Sequence, residues 1–555
     1  MSPLNVHVKH AGKTYDLPLD PDQPASVFKD AVYQVTGVPT DRMKVMIKGG
    51  TLKDDTDWKK VGPKENQTFM VIGAAGPLPK APEKATVFLE DMDDSELAEA
   101  LAKPVGLKNL GNTCYMNATV QSLRAIPELQ AALLAPHASN TTSPLPKSLS
   151  TLYASMSRTT EPVMPLAFLQ TLRMVVPRFG EMDRRGGMAG YAQQEILIPF
   201  ARGVDAEECW GEITNALREV PLESGAGKKF VEAYLMGQVV RELKCDEAPE
   251  EPETTRVETV SKIECNISAS TNFMLSGIMD ALNQKLEKTS PSLGREAVYT
   301  QKSRFARLPS YLTVQMVRFA WRTDINKKAK IMRKVKFPNE FDAVDLTTDD
   351  LKAKLLPVSR KLQEFERDRA ARRKVRKRTK NNISGPVISS ARTGDVEMAD
   401  ASGSAATATE STSAVTGEGE EKRATEGGEL EDESVYRDRE AKELESLVSP
   451  ELKADVGCSA SGLYDLVAIV THKGAAADSG HYIGFVKKSV FHGAKATSLD
   501  AAAPSAPAFD DDDDDWYKFD DDKVSIFPKE KLTTLDGGGE DSSAYVLLYK
   551  TKSLV

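Results

Sequence analysis

Among the residues able to do chemistry, one cysteine and one histidine stand out. Cys114 follows the turn-forming residues 111–113 and begins a segment whose apolar spacing predicts a helix. A thiol at a helix N-terminus faces unpaired backbone N–H groups, which favour its ionised, nucleophilic form. A thiolate nucleophile needs a base, and the chain has only six histidines. One of them, His481, lies in a strand-like run that is opened by a glycine turn.

Two segments around these residues resemble those of a known enzyme family. Residues 106–117 read Gly-Leu-Lys-Asn-Leu-Gly-Asn-Thr-Cys-Tyr-Met-Asn and resemble the Cys box of the ubiquitin-specific proteases, which are papain-like deubiquitinating enzymes. Residues 464–472, followed by 479–482, resemble the His box of that family. The resemblance implies that the thiolate of Cys114 attacks the carbonyl of the last glycine of ubiquitin. His481 would then pair with the thiolate and protonate the leaving amine.

The same resemblance assigns two further catalytic roles. The family motif Trp/Tyr-x-Phe-Asp-Asp is matched here by residues 516–524, Trp-Tyr-Lys-Phe-Asp-Asp-Asp-Lys-Val, with Asp520 and Asp521 as its two acids. Asp520, directly after the Phe, takes the role of orienting the imidazole, and Asp521 is the alternative. Asn109, five residues before Cys114, takes the oxyanion position, with the backbone N–H of Cys114 as the second donor. For Asn112 and Asn117 the pattern favours a turn or helix-cap role.

A third motif of the family, which helps to grip the ubiquitin tail, is interrupted in this chain. Gln193 and Gln194 are separated from Asp205-Ala-Glu-Glu by residues 195–204, an apolar stretch that contains a proline and a glycine. Removal of this stretch restores the family's Gln-Gln-Asp-Ala-x-Glu box, so it is either a gene-model artefact or a genuine loop. The resemblance assigns substrate binding to Gln193, Gln194, Asp205 and Tyr482.

Length and composition restrict the class of protein. A chain of 555 residues predicts two or more domains. Five cysteines without a Cys-x-x-Cys pair indicate a reducing compartment and no four-cysteine zinc site, and we expect neither a cofactor nor a metal. The absence of a signal peptide and of a long apolar run predicts a soluble intracellular protein without a membrane partner. A formal net charge of −9 disfavours nucleic acid as a partner.

The first 76 residues are predicted to form a β-grasp domain that resembles ubiquitin. The pattern indicates a strand around 6–8, a strand over 14–19, a helix over 27–35, and strands over 45–47 and 69–72. Residues 73–76 lack the Arg-Gly-Gly ending of ubiquitin, so an integral docking domain is expected rather than a cleavable precursor. The alternative is an unrelated β-grasp module.

The remainder of the chain predicts a linker and an interrupted catalytic domain. A proline-containing linker over 77–104 leads to the catalytic domain over 105–552, so the fold class is α+β: a β-grasp domain followed by a papain-like domain with fingers, palm and thumb. Residues of about 365–445 are predicted to be disordered, because large apolar residues are scarce. The basic run 372–378 matches either a nuclear import signal or a solvated helix end. A second insertion, about 490–515, ends in six consecutive aspartates, which should repel one another and stay solvated.

The domain order resembles the proteasome-associated branch of the family. This implies that ubiquitin and ubiquitinated proteins are substrates and that the ubiquitin-like domain docks on the proteasome regulatory particle, in the cytoplasm and nucleus. It also implies a weakly active free enzyme, whose cleft is obstructed by loops at about 321–334 and 473–479. The alternative is a catalytically weak scaffold that binds ubiquitin and the proteasome, which only the 195–204 stretch favours. A general papain-like protease would leave the ubiquitin-like domain unexplained.

Overall fold

The computed structural model describes most of the chain and divides it into two units. The described residues are 3–48, 50–54, 56–73, 93–101, 103–135, 141–180, 205–222, 228–323, 327–383, 431–476, 479–492 and 513–554. The first unit is Met1–Met92 and the second is Asp93–Val555. No helix in the described ranges combines the length and the apolar composition needed to cross a lipid bilayer.

The first unit is a five-stranded mixed sheet covered by a helix. Its elements are β1 (Leu4–His10), β2 (Lys13–Leu19), α1 (Ala25–Thr36), β3 (Lys44–Ile47), β4 (Gly50–Thr51), α2 (Trp58–Val61) and β5 (Thr68–Ile72). The strand order is β2-β1-β5-β3-β4, with β1 and β5 parallel. Helix α1 ends where Gly37 adopts a left-handed conformation with a φ of 69°. Phe28, Trp58 and Phe69 pack edge to face in the core. The predicted β-grasp fold is confirmed.

The second unit combines helices with two sheets. In chain order its elements are α3 (Asp94–Leu101), α4 (Cys114–Leu123), α5 (Pro127–Leu134), α6 (Leu145–Met156), α7 (Leu166–Val175), α8 (Ala206–Ala216), α9 (Phe230–Tyr234), β6 (Gly237–Cys245), β7 (Thr254–Val260), β8 (Ile263–Asn266), α10 (Met274–Leu282), β9 (Asn283–Thr289), β10 (Glu296–Arg307), β11 (Tyr311–Val317), β12 (Phe319–Arg322), β13 (Lys327–Lys330), β14 (Glu340–Asp342), α11 (Asp349–Ile383), α12 (Glu433–Leu447), α13 (Pro450–Ala454), β15 (Leu463–Ala476), β16 (Ser479–Lys487), α14 (Ser489–His492), β17 (Trp516–Asp520), β18 (Lys523–Phe527) and β19 (Ser543–Thr551).

The larger sheet positions the site. It runs β18-β17-β16-β15-β19-β11-β8, and a separate four-stranded sheet runs β7-β6-β10-β9. Strand β16 is buried on both faces, because Tyr482 and Val486 belong to the core that includes helix α4, whereas Ile483 and Phe485 belong to the core on the other side. Between them, Gly484 lets α4 approach closely, since a Cβ atom there would lie 3.2 Å from the carbonyl oxygen of Ala118.

The predicted disorder over about 365–445 is wrong at both edges. Helix α11 continues to Ile383, and α12 begins at Glu433. The buried Arg369 pairs with Glu440 at 2.6 Å, and Arg372 pairs with Glu433 at 3.0 Å and with Glu440 at 2.7 Å. Opposite charges that are far apart in sequence therefore stabilise a helix pair whose local composition suggested disorder. The basic run begins inside α11, and the rest of the insertion lies outside the described residues.

The second insertion is also shorter than predicted. Residues 489–492 form α14, and 513–515 lead directly into β17. The prediction that the whole aspartate run stays solvated is wrong for Asp513 and Asp514, whose carboxylates pair with lysines. The reason is that neighbouring strand ends supply positive charges, which local sequence does not reveal.

Candidate active site

Helix α4 places the thiol of Cys114 at its first position. The preceding turn is built by Gly111 and Asn112, both with a positive φ, of 93° and 52°. The hydroxyl of Thr113 closes the turn by accepting a hydrogen bond from the backbone N–H of Leu110 at 2.9 Å. Cys114 is buried, with 7% of its surface exposed, so its sulfur is held at the helix start in a sheltered position. The predicted helix start is therefore present.

Strand β16 brings His481 to this thiol. The thiol of Cys114 is the largest influence on the pKa of this imidazole, which means that the two side chains are neighbours, and Nε2 of the imidazole lies 2.6 Å from Oδ1 of Asp520. The hydrogen bond with Cys114 raises the pKa of His481, partial burial lowers it, and the hydrogen bond with Asp520 raises it further, to about 9. An imidazole with this pKa carries a proton at neutral pH, which suits it to pair with a thiolate and to protonate a leaving amine.

Asp520 is held in place from two sides. It ends β17, which pairs with β16 in the register Gly484 to Phe519. Its second carboxylate oxygen lies 3.0 Å from Nζ of Lys518. Although burial raises the pKa of Asp520, hydrogen bonds with His481 and Lys518 keep it below its ordinary value. The carboxylate is therefore ionised at neutral pH and can orient the imidazole.

The alternative acid, Asp521, makes different contacts. Its Oδ2 accepts a hydrogen bond from Nδ2 of Asn109 at 2.8 Å, and its Oδ1 accepts one from Nδ2 of Asn117 at 2.8 Å. Its backbone carbonyl accepts from the N–H of Leu107 at 3.0 Å. The prediction of a turn or cap role for Asn117 is wrong, because this residue is buried within α4 and bonds to Asp521. The two adjacent acids thus have different partners: Asp520 bonds to His481, whereas Asp521 bonds to Asn109 and Asn117.

Asn109, the predicted oxyanion donor, is firmly oriented by its hydrogen bonds. Its side-chain oxygen accepts hydrogen bonds from the backbone N–H groups of Gly111 at 2.9 Å and Thr113 at 3.3 Å. An asparagine amide nitrogen carries two hydrogens. The bond to Asp521 occupies one of them, so the other is available to a developing oxyanion.

Replacement of Asn109 by alanine should lower kcat on a ubiquitin C-terminal amide by about 100-fold and change KM little, because an oxyanion donor acts in the transition state. Steady-state kinetics with a fluorogenic ubiquitin amide measures both constants. Asn283→Ala removes an asparagine whose amide bonds to the end of α10 and should leave kcat unchanged. Normal kcat with weak ubiquitin binding in Asn109→Ala would contradict the oxyanion role.

The four predicted substrate-binding residues fall into two groups. Gln193 and Gln194 lie outside the described residues, as does the 195–204 stretch. Asp205 caps helix α8 by accepting from the N–H of Glu207 at 2.8 Å, and it also accepts from the hydroxyl of Tyr545 at 2.5 Å. Burial raises the pKa of Asp205. Tyr482 follows His481 in the chain and is buried. The centroid of its ring lies 6.2 Å from that of Tyr545, and the two ring planes are inclined by 42°. Substrate binding by Asp205 and Tyr482 stays a prediction.

Sequence reasoning missed two residues that support the site, Lys518 and Tyr545, and it named Asp521 only as the alternative acid. Lys518 bonds to Asp520, Tyr545 bonds to Asp205, and Asp521 holds both asparagines. A signal was present for Asp521 in the adjacent pair of acids, of which the histidine needs only one. No local pattern points to Tyr545, because its partner Asp205 lies on a distant segment. Lys518 and Asp520 lie two residues apart on β17, but the sequence does not show that their side chains form an ion pair.

Comparison with known proteins shows the family to which the chain belongs. The family model described as ubiquitin carboxyl-terminal hydrolase matches residues 105–549, and that of the ubiquitin family matches residues 5–75. Ubiquitin carboxyl-terminal hydrolase 6 of Schizosaccharomyces pombe is 38% identical over 556 residues, covering 99% of both chains. Ubiquitin carboxyl-terminal hydrolase 6 of Arabidopsis thaliana is 36% identical over 560 residues, covering 99% of this chain and 98% of the relative. Ubiquitin carboxyl-terminal hydrolase 14 of Caenorhabditis elegans is 28% identical, covering 99% and 93%. The chain therefore belongs to the ubiquitin carboxyl-terminal hydrolase family and is a cysteine-type deubiquitinase with an N-terminal ubiquitin-like domain.

Proposed function

We propose that the protein is a proteasome-associated deubiquitinase that cleaves peptide and isopeptide bonds at the C-terminus of ubiquitin and is gated when free. The observation that carries the catalytic part is the line of contacts from Cys114 through His481 to Asp520. A proteasome-associated enzyme acts where proteasomes are found, so we also propose cytoplasmic and nuclear localisation.

The proposed reaction proceeds in two stages. The Cys114 thiolate attacks the carbonyl carbon of the terminal glycine, and the resulting oxyanion is stabilised by Asn109 and the backbone N–H of Cys114. The protonated imidazole of His481 then gives its proton to the leaving amine, and a thioester to Cys114 remains. In the second stage the neutral imidazole accepts a proton from water while the water oxygen attacks the thioester carbonyl. The C–S bond then breaks, which releases the C-terminal carboxyl group of ubiquitin and restores the Cys114 thiolate beside the imidazolium. Asp520 orients the ring throughout.

Two segments beside His481 support the proposal of a gate. The hairpin β12–β13 pairs with the end of β15 at Ala329 and Ala476. The buried amine of Lys330 donates to the carbonyls of His472 at 2.9 Å and Asp541 at 3.0 Å. The register of β15 and β16 places Lys473 opposite His481. Movement of the hairpin would therefore shift the end of β15 and, through its pairing with β16, the position of His481, as a gate requires.

An exposed apolar patch supports docking by the ubiquitin-like domain. Met46 on β3 and Met70 on β5 are cross-strand neighbours, and Ile72 lies two residues further on the same face. Their side chains are exposed by 40%, 54% and 53%. Exposed apolar side chains that are contiguous on one sheet face are typical of protein interaction sites. We propose that this patch contacts the proteasome regulatory particle.

Replacement of Met70 by glutamate should leave basal hydrolysis intact and abolish stimulation by purified proteasomes, because a charge in the patch opposes its desolvation. Hydrolysis of a fluorogenic ubiquitin amide with and without proteasomes measures both. Val27→Glu is the matched control, since Val27 is 49% exposed on helix α1 and outside the patch. Equal stimulation of Met70→Glu and of the unmodified enzyme would refute docking through this face.

A further inference from the structure

The two strands that carry His481 and Asp520 are adjacent in the sheet but distant in sequence. Strand β16 ends at Lys487 and β17 begins at Trp516, and these two residues pair with each other. Antiparallel neighbours can be joined by a two-residue turn, whereas a long connection closes at a larger entropic cost. Something other than a tight turn must therefore hold these strand ends together.

The end of the aspartate run supplies such a link. We call Asp513, Asp514 and Asp515 the acidic clasp. Asp514 lies between two cations, with its carboxylate oxygens 3.2 Å from Nζ of Lys487 and 2.7 Å from Nζ of Lys529. Asp513 forms an ion pair with Nζ of Lys488. The clasp thus connects the segment leading into β17 to the end of β16 and to the segment that follows β18.

Backbone contacts make the same connection. The N–H of Lys488 donates to the carbonyl of Asp515 at 3.0 Å, and the N–H of Lys529 donates to Oδ1 of Asp515 at 3.4 Å. The N–H of Asp515 donates to Oδ1 of Asp513 at 3.0 Å, which fixes the first carboxylate relative to the third. The clasp is therefore a network rather than a single surface pair, and networks contribute more than isolated exposed pairs.

The pKa shifts of one clasp carboxylate and of one lysine paired with the clasp favour the charged forms. Burial raises the pKa of Asp514, but hydrogen bonds and charge attraction from Lys529 and Lys487 hold it below its ordinary value. The hydrogen bond to Asp513 raises the pKa of Lys488, whose side chain is only 14% exposed. Asp514 and Lys488 are consequently ionised at neutral pH.

We propose that Asp513 and Asp514 are positioning residues for the catalytic pair. By holding the start of β17 against the end of β16, they keep Oδ1 of Asp520 at 2.6 Å from Nε2 of His481. Few residues separate the clasp from the site. The pairing of β16 with β17 begins with Lys487 opposite Trp516 and ends with Gly484 opposite Phe519, the residue before Asp520. A shift of the strand ends is therefore transmitted to Asp520, and displacements of about 1 Å at catalytic groups can cost about 100-fold in rate. This role rests on the proposed functions of His481 and Asp520.

The test compares two double variants. Asp513→Asn with Asp514→Asn removes both charges, and Asp513→Glu with Asp514→Glu keeps them. In the asparagine variant we expect kcat on a fluorogenic ubiquitin amide to fall about five- to tenfold with KM unchanged. In a plot of kcat against pH, the fall in kcat at high pH (the alkaline limb) should move to lower pH. The reason is that a displaced Asp520 stabilises the imidazolium of His481 less and so lowers the pKa of His481. The glutamate variant should restore most of kcat and the position of the limb.

A second ion pair serves as the control. Lys361 and Glu443 lie 3.0 Å apart between α11 and α12, with exposures of 27% and 52%, similar to the 27% and 43% of Lys487 and Asp514. Glu443→Gln should change neither kcat nor the alkaline limb. An unchanged kcat and limb in the asparagine variant, or an equal loss in Glu443→Gln, would overturn the clasp.

Salt provides a measurement that needs no variant. Raising NaCl from about 0.05 M to about 1 M screens partly exposed pairs, so it should move the alkaline limb of the unmodified enzyme to lower pH, with melting temperature followed in parallel. An alkaline limb that salt does not move would overturn the proposal even if the asparagine variant does not fold. Failure of the clasp would leave His481→Ala inactive, whereas failure of the proposed catalytic roles would leave His481→Ala active, so the two failures are distinguishable.

Discussion

Cys114→Ala is expected to abolish hydrolysis of ubiquitin conjugates while ubiquitin binding is retained. The thiol is the first residue of α4 and contacts His481, and alanine removes the nucleophile without adding bulk to a buried position. The residual rate should be at least about 1,000-fold below that of the unmodified enzyme. Turnover of a fluorogenic ubiquitin amide and a binding titration with ubiquitin measure the two properties separately.

The control uses a cysteine outside the site. Cys458 lies between α13 and β15, where burial raises the pKa of its thiol to about 11. Cys458→Ala should still react covalently with ubiquitin that carries a C-terminal electrophile, whereas Cys114→Ala should not. Undiminished turnover or labelling of Cys114→Ala would remove Cys114 from the mechanism and with it the proposed thioester.

His481→Ala should reduce kcat by about 10²- to 10⁴-fold, the range associated with loss of a general acid–base group. Without the imidazole, the thiol loses the partner that stabilises its ionised form, and the leaving amine loses its proton donor. The unmodified enzyme should lose turnover as pH rises through about 9, because the raised pKa of His481 keeps the imidazolium protonated only below that value. The profile of His481→Ala should lack this alkaline limb.

His7→Ala is the matched control for this prediction. His7 belongs to the first unit and pairs with Asp16 at 2.5 Å. Because His7 is not one of the catalytic residues, its replacement should leave both the basal turnover of the enzyme and the alkaline limb of the pH profile unchanged. Substantial activity of His481→Ala with an unaltered alkaline limb would show that another group supplies the proton and would contradict the assignment.

The same histidine gives a stability expectation with a definite sign. Its folded pKa of about 9 lies above the ordinary value of 6.5, so the folded state binds the proton more tightly. The resulting stabilisation is fully present below about pH 6.5 and is lost as pH rises through about 9. This dependence accompanies the loss of turnover on the alkaline side.

Local sequence patterns were sufficient for the parts of this protein that depend on near neighbours. Turn residues followed by apolar spacing located the start of the helix at Cys114, and alternation with a closing glycine located the strands and helix of the ubiquitin-like domain. Such patterns give boundaries less accurately: residues 307–319 alternate like a single strand, but β10 ends at Arg307 and β11 covers only Tyr311–Val317. Helix caps, turns and alternation act over a few residues, so they are visible in one sequence.

Only the tertiary structure decided how distant charges and amides are divided among partners. It bonded Asp520 to His481 and gave Asp521 to Asn109 and Asn117, although the two acids are neighbours in sequence. It also paired arginines of α11 with glutamates of α12, and aspartates of the acidic clasp with Lys487, Lys488 and Lys529, where composition predicted solvated chain. The physical reason is that a charged or amide side chain makes its strongest bonds with whatever group folding brings within about 3 Å. That group can be hundreds of residues away, so neither periodicity nor composition specifies it.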